Sequence, residues 1–405
     1  RDQEKWQAIF YHMRELKLIP IVRIATRPAG SVWEKPEESD IREWADFLGS
    51  LNWVVQNRYV VIFNEPNHSK EWGGTLDPEG YAAMLKKFSQ ELKAESPDFF
   101  ILPAGLDASA PNGGETMDEY QFVTRMATAV PDVFTTIDGW SSHSYPNPGF
   151  VGGANGFGRG TVRTFVWEKS FWHPIGITKN LPVFITETGW AHTGSRTPRG
   201  GLAPEVVAAQ YETAFGNAWT DPSIAAVVPF ILNYQDAPFD QFSFRKLDSP
   251  EFHPQFAAVG AIPKVAAEPE QLHAYSTISS DFPHKLVTKS HYRFHLTIEN
   301  IVQSILTPDQ FHFNIRAPEA LTLTVGPLDK TSPFHHSDIT LTVDTLEQTG
   351  PFEIGLQMMR GDKPVGGEIV QQVEIVPPPN VFIKAKMWFK QMTSGDDFTF
   401  LVYEN

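Results

Sequence analysis

Six times between Glu4 and Leu232 a helix-like segment is followed by a short apolar, strand-like run. A helix ending near Lys17 leads to Ile19–Ile24, and one over Ile41–Leu51 leads to Tyr59–Phe63. Pro78–Ala94 leads to Phe99–Ala104, Asp118–Ala129 to Ile137–Ser142, Phe165–Phe171 to Pro182–Thr186, and Pro204–Trp219 to Ala225–Leu232. Asp77-Pro78 fits an N-cap followed by proline at the first helical position. Repeated helix–strand alternation forces the strands to run parallel, because each crossover helix returns the chain to the same edge of the sheet. An open doubly wound sheet would want a glycine-rich phosphate loop after its first strand, and none is present. The pattern therefore predicts an α/β (β/α)8 TIM barrel, which has eight strands and eight helices. Six of each are counted, so the first two strands are expected to precede Arg1.

Past Ala261 the character changes. Ala261–Gln271, with Pro263 and Pro269, reads as a linker. Short alternating runs then recur at Tyr292–Ile298, Gln310–Ile315, Leu321–Val325, Ile339–Val343, Phe352–Met358 and Val370–Val376. Even spacing of short strands predicts an immunoglobulin-like β-sandwich. Pro377-Pro378-Pro379 is a stiff spacer, and two strand candidates flank Thr393-Ser394-Gly395-Asp396. The expected domains are a barrel over 1–262, a sandwich over 263–377, and an extra hairpin or the start of a third β module over 378–405.

Two of the apolar runs end on a glutamate. Val60-Val61-Ile62-Phe63-Asn64-Glu65-Pro66 places Glu65 at a strand-to-loop junction, since proline cannot continue the ladder and holds its predecessor away from helix. Val183-Phe184-Ile185-Thr186-Glu187-Thr188-Gly189-Trp190 does the same for Glu187. The C-terminal tips of barrel strands are where such folds keep their chemistry. Taken singly, each glutamate is most simply a solvated carboxylate at a loop start. Taken together, on what would be the fourth and seventh strands, they point into one cleft. Paired carboxylates are the equipment of glycoside hydrolysis: one protonates the leaving oxygen while the other attacks the anomeric carbon.

Asn64-Glu65-Pro66 and Thr186-Glu187-Thr188-Gly189 resemble the motifs of glycoside hydrolase clan A, a group of (β/α)8-barrel retaining glycosidases, with the likeness nearest to families 39 and 5. It covers roughly Glu4 to Lys246. The resemblance implies that Glu65 is the general acid/base, that Glu187 is the nucleophile and that Asn64 bonds the sugar 2-hydroxyl. His143-Ser144-Tyr145 is similar to the clan's His-x-Tyr, which implies that Tyr145 orients Glu187. The clan's arginine at the end of the second strand has no counterpart in this chain, and the role is not transferred to Arg23. The tryptophan common at the end of the eighth strand is replaced by Leu232-Asn233-Tyr234, where Tyr234 is the candidate substitute. Trp72 and Trp190 are expected to stack on sugar, and His68 and Glu71 to bind its hydroxyls. Gly149–Gly160, with six glycines, reads as a mobile rim.

The remaining composition sets limits. Net charge is −15, which argues against nucleic acid and anionic membranes as partners. There is no cysteine, so disulfides and thiolate metal sites are excluded. His335-His336 with Asp338 has no further spaced partner, so no metal and no cofactor are expected. No run approaches the ~20 apolar residues of a membrane helix. The expected partner is a carbohydrate, with cell-surface or glycan attachment through the β domain as a further possibility. The expected location is secreted or cell-surface. The competing expectations are a carbohydrate-binding or cell-surface protein on an inactive barrel, and a transglycosylase using the same carboxylates.

Overall fold

The computed structural model describes residues 2–196, 200–264 and 267–378. The chain divides into two compact units. The first comprises 1–9, 19–51 and 57–268; the second comprises 10–18, 52–56 and 269–405. The hairpin expected around Thr393–Asp396 lies outside the described residues.

α1 (Gln3–Glu15) is divided between the two units; in the first, β1 (Ile21–Ile24) is followed by a small hairpin, β2 (Pro28–Ala29) and β3 (Val32–Trp33). Then come α2 (Glu38–Gly49), β4 (Arg58–Ile62), α3 (Pro78–Glu95), β5 (Phe99–Pro103), α4 (Glu119–Ala129) and β6 (Trp140–His143). After these come α5 (Thr164–Ser170), β7 (Val183–Thr188), α6 (Pro204–Thr213), β8 (Ile224–Pro229) and α7 (Pro254–Ala261). The helix starts follow their caps: Asp77 and Asp118 accept from the backbone N–H groups of Gly80 and Gln121, and α3, α6 and α7 carry proline in their first turn.

All six main strands pair parallel, as the alternation requires. They form two three-stranded sheets, β1-β4-β5 and β6-β7-β8, rather than one continuous sheet. Between β5 and β6 the ladder thins because the Ile101 carbonyl is taken by the N–H groups of Asp138 and Gly139, at the turn before β6. Beyond that point the two sheets meet in a single bridge, Asp107 to His143. Side chains from both sheets nevertheless converge: Val61, Leu102 and Phe184 form one buried cluster, with Ile21, Tyr59, Phe100 and Ala226 packed against it. That shared interior turns the C-terminal ends of β4, β6 and β7 toward one another.

The second unit is a β-sandwich. One sheet has the order β10-β17-β15-β12, from β10 (Lys285–Val287), β17 (Ile369–Val376), β15 (Gly350–Arg360) and β12 (Phe311–Arg316), with the short β16 (Lys363–Pro364) paired to β15. The other has the order β13-β14-β11-β9, from β13 (Leu321–Val325), β14 (His336–Thr345), β11 (His291–Asn300) and β9 (Tyr275–Ser280). Alternate residues of facing strands, among them Leu296, Ile298, Ile339, Leu341, Ile354 and Met358, build one apolar core. The β9, β10 and β16 strands were not legible from sequence; β9 reads Tyr-Ser-Thr-Ile-Ser-Ser, too polar to register as a strand.

Candidate active site

β4 delivers Glu65 through a constrained turn. Phe63 has φ 70° and Glu65 has φ 34°, both in the left-handed region that side chains disfavour. The turn is held from both sides: the Glu65 N–H donates to Gly105 O at 3.1 Å, and the His68 N–H donates to Glu65 O at 2.8 Å. β7 delivers Glu187 through a register shift on each flank, so that His143 rather than Ser144 lies opposite it. The following Thr188 hydroxyl donates to Ser144 O at 2.7 Å. At Gly189 an added Cβ would meet Phe230 O at 2.8 Å and the Tyr211 hydroxyl at 2.9 Å, so the turn after Glu187 admits only glycine.

These two turns bring one donor atom each of Glu65, His143 and Glu187 within 4.8 Å of one another. His143 Nδ1 lies 2.8 Å from Glu65 Oε1 and 3.9 Å from Glu187 Oε2. The Tyr145 hydroxyl donates to Glu187 Oε2 at 3.0 Å. Arg23 Nη1 donates to Glu187 Oε1 at 2.6 Å and to Asn64 Oδ1 at 2.7 Å. β1, β4, β6 and β7, with the turns that follow them, thus contribute to one constellation. His143 is buried, with its ring edge pressed against Gly105, where a Cβ would come within 2.2 Å of Cδ2.

The electrostatics follow from that packing. Burial opposes the charged form of His143, but Glu187 and the bond to Glu65 outweigh it and raise its pKa. Burial, with the Glu187 and Glu65 charges, holds the Tyr145 hydroxyl well above its ordinary range, so it stays a donor. Glu71 is raised, mainly by burial, with Glu65 adding to the effect. His68 and Asp107 bond at 2.9 Å; despite burial of both, the contact raises the imidazole and lowers the carboxyl. Glu65, His143 and Glu187 would also suit a divalent cation by type and spacing. Arg23 is already paired with Glu187, however, and the raised pKa of His143 opposes the neutral imidazole that a metal would need.

The other candidates from the sequence separate. Asn64 and Tyr145 stand at the site, and His68 is half-buried on the loop after Glu65. Trp72 and Trp190 do not offer faces for stacking: they are 2 % and 1 % exposed. Trp72 packs edge-on against Phe63 and Tyr81, and Trp190 against Tyr211. Their loops fold back over the strand tips and take the indoles into the interior. The Trp190 indole donates to Gly152 O at 2.7 Å. The glycine-rich segment is therefore tied down rather than loose, since Ala191 N–H also donates to Phe150 O and Ala154 N–H to the Gln210 side chain. Tyr234 sits outermost in a line of rings. It packs on Phe239, Phe239 on Phe230, and Phe230 lies 6.5 Å from Tyr145. Phe230 is thus the ring of this group beside the site. Sequence reasoning considered Arg23 and set it aside, whereas the structure pairs it with Glu187; Gly105, Asp107 and Phe230 were missed.

No protein-family model matches the chain. No curated protein matches it either. Among solved structures, glycoside hydrolases recur. A family 51 α-L-arabinofuranosidase from Bifidobacterium longum is 12 % identical, covering 84 % of this chain and 78 % of that one, with a TM-score of 0.41. A β-glucuronidase from Bacteroides uniformis is 12 % identical, covering 94 % of this chain but 44 % of its own, with a TM-score of 0.33. An Escherichia coli α-2-macroglobulin is 16 % identical over 25 % of this chain and 7 % of that one, with a TM-score of 0.20. The chain thus spans less than half the length of the glucuronidase and a small part of the macroglobulin.

Proposed function

We propose that this protein is a retaining glycoside hydrolase that cleaves β-glycosidic bonds of a poly- or oligosaccharide. The observation that carries the proposal is the spacing of Glu65 and Glu187. Their nearest oxygens lie within 4.8 Å, which suits the ~5–5.5 Å carboxyl spacing of retaining enzymes better than the ~6.5–9.5 Å of inverting ones. Glu187, fixed by Arg23 and Tyr145, attacks the anomeric carbon and displaces the leaving oxygen. Glu65 protonates that oxygen as it leaves. Glu65 then takes a proton from water, which attacks the glycosyl-enzyme and releases Glu187 with the original anomeric configuration. His143 holds Glu65 in place, and Asn64, itself held by Arg23, faces the sugar 2-hydroxyl. The parallel strands are read as part of a (β/α)8 barrel, and the sandwich as an immunoglobulin-like accessory that packs or spaces the enzyme. A secreted or cell-surface setting suits a polymer substrate.

The test uses a panel of aryl β-glycosides with the full chain, following product configuration by proton NMR. Retention is expected. Glu187→Ala with azide should yield the α-glycosyl azide, and Glu65→Ala with azide the β-azide. Inverted product from the wild type, or undiminished turnover in either variant, would overturn the assignment.

A further inference from the structure

A second pair of acids lies behind the site and takes no part in the chemistry above. Glu119 opens α4 and Glu168 lies on α5; they are 1 % and 0 % exposed. Their carboxyl groups face each other at hydrogen-bonding approach, with Ser142 and Trp140 of β6 beside Glu168. Even so, Glu119 Oε2, both Glu168 oxygens and Trp140 Nε1 make no well-formed hydrogen bond to any described residue. Arg159 and Asp107 act on Glu119, and His143 acts on Glu168. Arg159 is already committed to Asp118 Oδ2 at 2.6 Å.

Two ionised carboxylates cannot stay in contact out of water without a cation or a proton between them. We propose that Glu119 and Glu168 share one proton and serve as positioning residues for the Glu65–His143 contact. Two routes lead from the pair to that contact. Ser142 precedes His143 on β6, a strand buried throughout. Asp107 is bridged to His143 and bonds His68 at 2.9 Å. Burial, with mutual repulsion, holds Glu119 far above the ordinary carboxyl range, and burial raises Glu168 to about 7. The folded chain therefore binds the proton more tightly than the unfolded one. Its stability is greatest below the ordinary carboxyl value and falls as pH rises toward the folded value. The positioning role rests on the glycosidase assignment, but the shared proton does not.

The experiment compares wild type, Glu119→Gln and Glu168→Gln as full chains. Infrared difference spectra should show an undissociated carboxyl band in the wild type at about pH 6, well above the ordinary carboxyl range of about 4. Each glutamine variant should shift or weaken that band, because it removes one of the two carboxyl groups and the partner of the other. Melting temperatures should show a variant-minus-wild-type difference that climbs with pH. On an aryl glycoside, the alkaline limb of kcat/KM should move to higher pH in the variants. The proposal is overturned by identical infrared bands in all three proteins, or by melting differences that do not change with pH. If neither variant folds, absence of the band from the wild type alone overturns it. If no glycoside is turned over, the enzyme assignment fails while the spectra and melting curves still judge the pair.

Discussion

Gly105→Ala tests the floor of the site with a single methyl group. The substituted Cβ would sit 2.2 Å from His143 Cδ2 and 2.4 Å from Nε2, where ordinary contact begins at 3.4 Å. Relief requires the imidazole to move by 3.4 − 2.2 = 1.2 Å, and His143 is 4 % exposed with Glu65 2.8 Å away. Overpacking of a filled interior costs about 1–3 kcal/mol, and weakening a hydrogen bond to a charged group about as much again. At roughly 2–4 °C per kcal/mol for a domain of this size, the melting temperature should fall by about 4–24 °C. A displacement of about 1 Å at a reacting group can cost about 100-fold, so kcat should fall by that order. Gly105 is not in the left-handed region, so backbone strain adds nothing. Gly113→Ala supplies the control: it is exposed, and no atom lies within 4 Å of the added Cβ. Thermal melts and aryl-glycoside kinetics on both variants decide the matter. A Gly105→Ala protein that melts and turns over like Gly113→Ala would refute the claim that Gly105 seats His143.

Three further outcomes are expected. Arg23→Gln should lower kcat by about 10- to 100-fold while moving the melting temperature little, because its ion pair to Glu187 is half exposed and such pairs add little stability; Arg23→Lys, lacking the planar fork, should recover only part of the rate. Tyr145→Phe, read by the same kinetics, should slow turnover by about ten-fold through loss of the donor to Glu187, with the fold intact by circular dichroism. For the His68–Asp107 pair, the raised imidazole contributes below its ordinary pKa and loses that contribution as pH rises, while the lowered carboxyl contributes above its ordinary pKa and loses it as pH falls. Melting curves should therefore show His68→Gln most destabilised, relative to wild type, in the mildly acidic range and least so at alkaline pH.

The parallel strands and the two glutamates were legible because a β-branched run ending in Asn-Glu-Pro or Thr-Glu-Thr-Gly carries its own boundary. Arg23 was seen but set aside, because it lies within the third expected strand rather than at the end of the second, and its partner Glu187 lies 164 positions away. Nor does Gly105 announce itself: its meaning is set by an imidazole contributed from another strand. Trp72 and Trp190 misled for a related reason. A tryptophan beside a strand-tip glutamate has the same local sequence whether its loop opens toward solvent or folds inward, and here both fold inward. The glycines of 149–160 looked like slack, yet the segment is fastened by an indole and a glutamine that composition alone does not link to it.

The left-handed backbone at Phe63 and Glu65 limits which residues the bend can accept. Neither residue type favours that conformation, and asparagine or glycine would adopt it at lower cost. Glycine at Phe63 would, however, empty the space of a buried ring packed on Trp72 and Phe88, and at Glu65 it would strand the His143 imidazole 2.8 Å from the lost carboxylate. The bend is therefore constrained twice over: any residue that relaxes the backbone surrenders what the side chain holds, so the strain and the packing have to be kept or lost together.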